Sequence, residues 1–316
     1  MTAARKAGWP VYCRAALARA IRLASRQFPR AGEDEATRIH EVRKTLKGAA
    51  GLARLFVDLV GAPAEATVEA INAARRKVGR ARDLDILPGV IASLDPPAEA
   101  REALVAAIVK EREAERRAHH DLDVAGLASE LRALAEAVDA WDVEAAATPA
   151  LTAALRRSYR SARRRGEAAL ASRDAVALHK FRVRVVDLAY QFAALEPAWP
   201  AMMRATMREL HRLRTALGDH NDLTVLARFA ATRAELTPEQ KVLGAILIAK
   251  KRRPLERRAA QLFGRLFAER PSAFERRMAA YLDYPRRKPP ARKLTRQAHA
   301  AAAHPTADGG GPPHMP

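Results

Sequence analysis

The chain has 316 residues, of which 49% are apolar, and 56 Lys and Arg stand against 36 Asp and Glu for a net charge of +20. That length and apolar content allow a sizeable core, while the single cysteine, Cys13, excludes an intrachain disulfide and a thiolate zinc site. An excess of this size points to an anionic partner and says little about fold.

Residues 1–9 contain no apolar signal segment and read as a flexible N-terminus. No run of 18 uncharged apolar residues follows, so no membrane insertion is expected, and the lone thiol fits a reducing, cytoplasmic setting. From residue 10 onward apolar residues recur at helical spacing. The breaks fall at Phe28-Pro29, Gly61-Ala62-Pro63, Asp95-Pro96-Pro97, Thr148-Pro149 and Glu196-Pro197. No alternating β-branched run occurs, so the expected fold class is all-α.

A helix is expected to begin near Glu33-Asp34, where acidic residues suit the N-terminal end of the dipole. At 100° per residue, His40, Arg43, Lys44, Lys47, Gly51 and Arg54 share one stripe, with Ile39, Val42, Leu46, Ala53, Val57 and Val60 roughly opposite. The stripe itself contains no acid. Like charges at helical spacing repel, so a bound polyanion is expected to offset them. Arginine forks and lysine point charges both suit phosphate oxygens. Asp83 and Asp222 each precede an apolar run and are expected to cap new helices, and Cys13 reads as a small packing residue.

In the second half, the helix Leu151–Leu170 carries Arg156, Arg160, Arg163 and Arg164. The next begins at Asp174, a good N-cap, with Leu178, Phe181, Val185, Leu188 and Phe192 on its core face. His179 and Arg182 lie on its ligand face, but Val183 and Val186 replace Lys44 and Lys47. Further basic features are the stripe Arg204, Arg208, His211 and the cluster Lys250-Lys251-Arg252-Arg253, followed by Arg257 and Arg258. His211 and His220 have no evident third ligand for a metal. Residues 286–316, rich in Pro, Gly and basic side chains, read as a disordered tail.

One offset organises the chain. Ile39-His40-Glu41-Val42-Arg43 is similar to Leu178-His179-Lys180-Phe181-Arg182, 139 residues later. The same offset maps Gly79 onto Gly218, Asp83 onto Asp222, Leu84 onto Leu223 and Leu87 onto Leu226. A duplicated helical unit follows, with its boundary near residues 140–150.

Four motifs in this order carry a family resemblance: His40-x-x-Arg-Lys-x-x-Lys47, Arg82-Asp-Leu-Asp-Ile-Leu87, His179-x-x-Arg-x-Arg-x-x-Asp-Leu-x-Tyr190, and Leu217-Gly-Asp-His-Asn-Asp-Leu223. Together they resemble the CHAD family, the conserved histidine α-helical domain, over roughly residues 10–285. The resemblance implies two pseudo-symmetric four-helix bundles (10–145 and 146–285) with a basic cavity between them that holds polyphosphate. It implies no catalysis by the domain and no cofactor. The family pattern has cations seven and ten residues after each histidine; here these are Lys47 and Ala50, then Val186 and Ala189.

The expected function is therefore binding of inorganic polyphosphate, with association to polyphosphate granules. The expected contacts are His40, Arg43, Lys44, Lys47, Arg54, Arg76, Arg156, Arg160, Arg164, His179, Arg182, Arg208, His211, Lys250 and Lys251. A nucleic-acid binder is the alternative, less favoured because no aromatic residues are interleaved with the basic ones for base stacking. A phosphoanhydride enzyme ranks third: the proposed face lacks carboxylates to hold Mg²⁺, and no P-loop pattern occurs.

Overall fold

Alanine-rich segments punctuated by proline, glycine and capping side chains fold as helices throughout the described part of the chain. The computed structural model describes residues 8–28, 35–78, 82–118, 123–144 and 148–283, and no strand occurs among them. The tail expected at 286–316 and the helix start expected near Glu33-Asp34 lie outside those residues.

The helices are α1 (Trp9–Gln27), α2 (Glu35–Ala53), α3 (Val57–Val60), α4 (Ala62–Lys77), α5 (Arg82–Asp85), α6 (Leu87–Leu94), α7 (Ala98–Ala118) and α8 (Val124–Asp139) in the first half. The second half holds α9 (Thr148–Ser172), α10 (Ala175–Ala194), α11 (Pro200–Ala231), α12 (Pro238–Leu266) and α13 (Pro271–Asp283). Starts at Trp9, Glu35 and Ala98 recur at Thr148, Ala175 and Pro238, shifts of 139, 140 and 140 residues.

Local chemistry sets the helix starts. Asp174 caps α10, as expected, by accepting from the Ala177 amide at 2.8 Å. Asp123 caps α8 through Gly126 at 2.7 Å. Thr237 and Gln240 form a reciprocal capping box at the start of α12. Gly61, at φ 65°, turns the chain between α3 and α4 in a region that favours glycine. One expectation fails: no helix begins at Asp222. It lies inside the 32-residue α11, which runs straight through Gly218. An apolar run after a glycine looks like a helix start, but a glycine costs a helix only about 1 kcal/mol, and burial of Leu217 and Leu223 outweighs it. The side chain of Asp83 lies outside the described residues.

The expected core faces are buried in large part: Val42, Leu46 and Ala53 from α2 and Leu178, Phe181, Val185, Leu188 and Phe192 from α10 join one apolar cluster, with Ile39 partly buried against it. Val57 and Val60, expected on the same helix as Val42, fall on the separate α3 and are partly buried, because the chain leaves the helix after Ala53. That cluster draws on α1, α2, α4 and α8 as well as α9 to α13, so it crosses the midpoint of the chain. Cys13 is fully buried in it. Trp9 helps to close the fold by donating its indole N–H to the Leu282 carbonyl at 3.0 Å.

A second cluster has a different composition. Leu87, Ile91, Leu104 and Ile108 of α6 and α7 pack with Leu223, Leu226 and Phe229 of α11 and Ile248 of α12. The two repeated Asp-Leu motifs therefore meet: Leu87 and Leu226, related by the 139-residue offset, are buried in the same cluster, with Leu84 packed against it. Their recurrence is explained by packing.

Candidate functional site

The chemistry gathers where α2 packs along α10. A Cβ on Gly48 would come within 2.8 Å of the Tyr190 ring, and one on Gly51 within 3.0 Å of the Asp187 Cα, so only glycine permits this approach. Under the 139-residue offset Gly48 corresponds to Asp187 and Gly51 to Tyr190, so the two contacts exchange, as they would across a two-fold axis. The Gln191 side-chain amide donates to the Gly51 carbonyl at 2.9 Å, and the Tyr190 hydroxyl to the Lys44 carbonyl at 3.2 Å.

Asp187 is 3% exposed and receives two guanidiniums, Arg54 at 2.9 Å and Arg184 at 3.0 Å. Burial pushes its carboxyl upward, while Arg54, Arg184 and Arg75 act in the opposite direction. Arg75, on α4, donates to Asn72 Oδ1 at 3.0 Å. Burial, then the neighbouring charges of Arg43 and Arg54, hold Arg75 below the usual arginine range, with Arg182 adding to the effect. Arg43, Arg54, Arg75, Arg182 and Arg184 thus share one neighbourhood with a single buried carboxylate. Arg182 also reaches α11: the position of a Cβ on Gly218 lies 3.4 Å from its Nε and Nη2.

Two expectations about the α2 stripe change. It does not face a carboxylate-free space, because Asp187 enters from α10 and takes Arg54, and Lys44 pairs with Glu41 at 3.3 Å. Its C-terminal part, Gly51 and Arg54, is a helix–helix interface and not an open face. A helical wheel shows one helix, and these acids come from a second helix and from the edge of the first.

The N-terminal part of the stripe remains accessible. His40 and Lys44 are exposed, and Arg43 and Lys47 are half-buried. His179 is exposed, with its Nδ1 2.9 Å from Asn221 Oδ1 on α11. Beside them, α10 and α11 enclose an open groove of about 520 Å³ lined by Tyr190, Met207, Arg204, Arg208, His211 and Arg214. Arg214 donates to His211 Nδ1 at 3.0 Å, at positions 139 residues after Arg75 and Asn72. Arg204 pairs with Glu196 at 2.7 Å, whereas Arg208 has no ion pair among the described residues. Tyr190 joins this groove to α2, because its ring lines the groove while its hydroxyl holds the Lys44 carbonyl.

Other expected contacts sit elsewhere. Arg156 pairs with Glu275 of α13 at 3.0 Å, and Lys251 donates to the Ser93 carbonyl at 3.2 Å, tying α12 to α6. Arg76, Arg160, Arg164 and Lys250 are exposed on α4, α9 and α12. Among the described residues no hydrogen bond or ion pair joins these six to the seam. Arg75, Arg184, Asp187 and Arg214 were missed as site residues; extending the offset to Arg75 and Arg214 would have flagged that pair. No group of three or more potential metal ligands occurs among the described residues, and His220 pairs with Glu256 at 3.3 Å.

The family model described as CHAD domain matches residues 15–231. Among solved structures, the crystal structure of the CHAD domain from the plant Ricinus communis is similar, with a TM-score of 0.58 at 20% identity, covering 80% of this chain and 91% of that one. No curated protein sequence matches.

Proposed function

Because the chain belongs to the CHAD family, which is associated with polyphosphate or triphosphate binding, we propose that it binds inorganic polyphosphate along the accessible part of the α2–α10 seam and the adjoining α10–α11 groove. The observation that carries this reading is the position of Tyr190. It sets the basic α2 stripe at the border of a groove whose other wall carries Arg204, Arg208 and His211. His40, Arg43, Lys44, Lys47, His179, Arg182, Arg208 and His211 are the proposed phosphate contacts. Recruitment to polyphosphate granules in the cytoplasm would follow from such binding.

The proposal is one of binding without turnover. Phosphoryl transfer needs carboxylates free to hold Mg²⁺, and the buried carboxylate of the seam, Asp187, is already held by two arginines. The test is titration of the full chain with a long-chain polyphosphate, comparing wild type with Arg43→Ala/Lys47→Ala. Affinity is expected to fall at least tenfold in the double variant while the circular dichroism spectrum stays helical. Unchanged affinity would remove α2 from the site. Displacement by duplex DNA at equal phosphate concentration would favour a nucleic-acid role, and magnesium-dependent phosphate release would favour catalysis.

A further inference from the structure

A second basic cleft lies beside the first turn of α10. Its walls come from the end of α9 (Ala169, Leu170), the start of α10 (Leu178) and the middle of α12 (Ala260), and its volume is about 390 Å³. Arg173, Arg253 and Arg257 line it. All three are exposed, and none makes an ion pair or a side-chain hydrogen bond among the described residues. That sets them apart from Arg54, Arg156, Arg184, Arg204 and Arg277, which are paired. Arg253 and Arg257 are one helical turn apart, where like charges repel.

The backbone adds an independent observation. Arg173 closes α9 with φ 53°, the left-handed conformation that favours glycine. Its amide donates to the Ala169 carbonyl at 2.8 Å, so the turn needs this geometry but does not need an arginine side chain. A non-glycine residue held there has a conformational cost, of the kind that recurs at ligand clamps. The turn into α10 is two residues long and capped by Asp174, so the Arg173 side chain leaves from a fixed point beside the cleft.

We propose that this cleft binds a phosphomonoester with a short apolar stem, at a site separate from the seam assigned above. Three arginines and Glu256 give the lining a formal charge of +2, and Glu256 is also engaged by the buried imidazole of His220 at 3.3 Å. A phosphomonoester carries roughly −1.5 to −2 near neutral pH, and arginine forks match its oxygens. Leu170 and Ala260, backed by the buried Ala169 and Leu178, supply the apolar wall for the stem. The volume lies in the range typical of small-molecule sites.

Isothermal titration of the full chain with butyl phosphate, butyl sulfate and inorganic phosphate tests this. Butyl phosphate is expected to bind at least tenfold more tightly than either, the sulfate having lower charge and inorganic phosphate no stem. Arg253→Ala/Arg257→Ala should weaken butyl phosphate at least tenfold and leave polyphosphate binding within twofold, which separates this site from the seam. Arg173→Gly should raise the melting temperature by relieving the left-handed conformation, yet weaken butyl phosphate. Equal affinity for butyl phosphate and inorganic phosphate would overturn the stem, and unchanged affinity in the double variant would overturn the site. Competition against bound butyl phosphate gives the last arm: displacement by a short-chain phosphatidic acid would identify a lipid source, displacement by a soluble branched alkyl phosphate alone a soluble one, and equally strong displacement by a sugar phosphate would overturn the stem.

Discussion

Gly51 lies directly against Asp187: a Cβ on the glycine would stand 3.0 Å from the aspartate Cα, a backbone atom that cannot rotate away. Two helices that carry the family's histidines are therefore locked together by the absence of a side chain. Gly51→Val should destabilise the fold by about 1–3 kcal/mol through overpacking, read as a lower midpoint in urea. Gly89, which has open space where a Cβ would go, provides the contrast: Gly89→Ala should not destabilise.

Asp187 itself has a larger role than any surface acid. It is buried and accepts from Arg54 and Arg184. Removing one partner from a buried pair costs about 3–5 kcal/mol because charge is left uncompensated. Asp187→Ala should approach that range in chemical denaturation. Glu41→Ala, which removes the exposed partner of Lys44, should cost less than about 1 kcal/mol. Equal effects would mean that Asp187 does not organise the arginines around it.

The groove wall offers a test of the polyphosphate reading that does not touch α2. Arg208→Ala/His211→Ala should weaken polyphosphate binding by about 1–3 kcal/mol if two phosphate contacts are lost. The slope of log affinity against log salt should become shallower by about 0.7 per cation removed, by analogy with single-stranded polyanions. An unchanged slope would place the chain outside the groove.

His220 predicts a pH effect with a definite sign. Burial, with repulsion from Arg252, holds its imidazole below the ordinary 6.5, against the pull of Glu256. The unfolded chain then binds the proton first as pH falls below 6.5, so stability is greatest above that value and declines with acidification. Replacing the residue by glutamine should flatten the decline between pH 7 and pH 5, measured as the difference from wild type in denaturation midpoint. A steeper decline in the variant would contradict the assignment.

Cys13 gives a simple probe of the core. It is fully buried, and burial pushes its thiol up to about 12. Thiolate is the reactive form, so alkylation at pH 8 should be far slower than in a denatured control. Labelling at the denatured rate would show that α1 opens readily.

Much of this was legible before any coordinates. Helical spacing located α2 and α10, and their apolar faces from Val42 to Phe192 are buried as that spacing requires. Asp174 revealed its cap because capping is local: three residues suffice to make the bond. The 139-residue offset matched Leu87 with Leu226 as equivalent positions of the repeat, but that the two are buried in one cluster came only from the fold. The straight passage of α11 through Gly218 was hidden, since what holds that helix together is burial against distant residues.

The amino-acid sequence alone determined the helices, the net positive charge, the family and which turn of α2 would be basic, because each rests on composition or on neighbours within a turn or two. Only the tertiary structure decided which of those charges stay available. Arg54 is neutralised by an aspartate 133 positions away, Arg156 by a glutamate 119 positions away, and Lys44 is set at the edge of a groove by Tyr190, 146 positions away. Charge is a property of a residue, but its availability depends on what the fold brings within hydrogen-bonding distance of it.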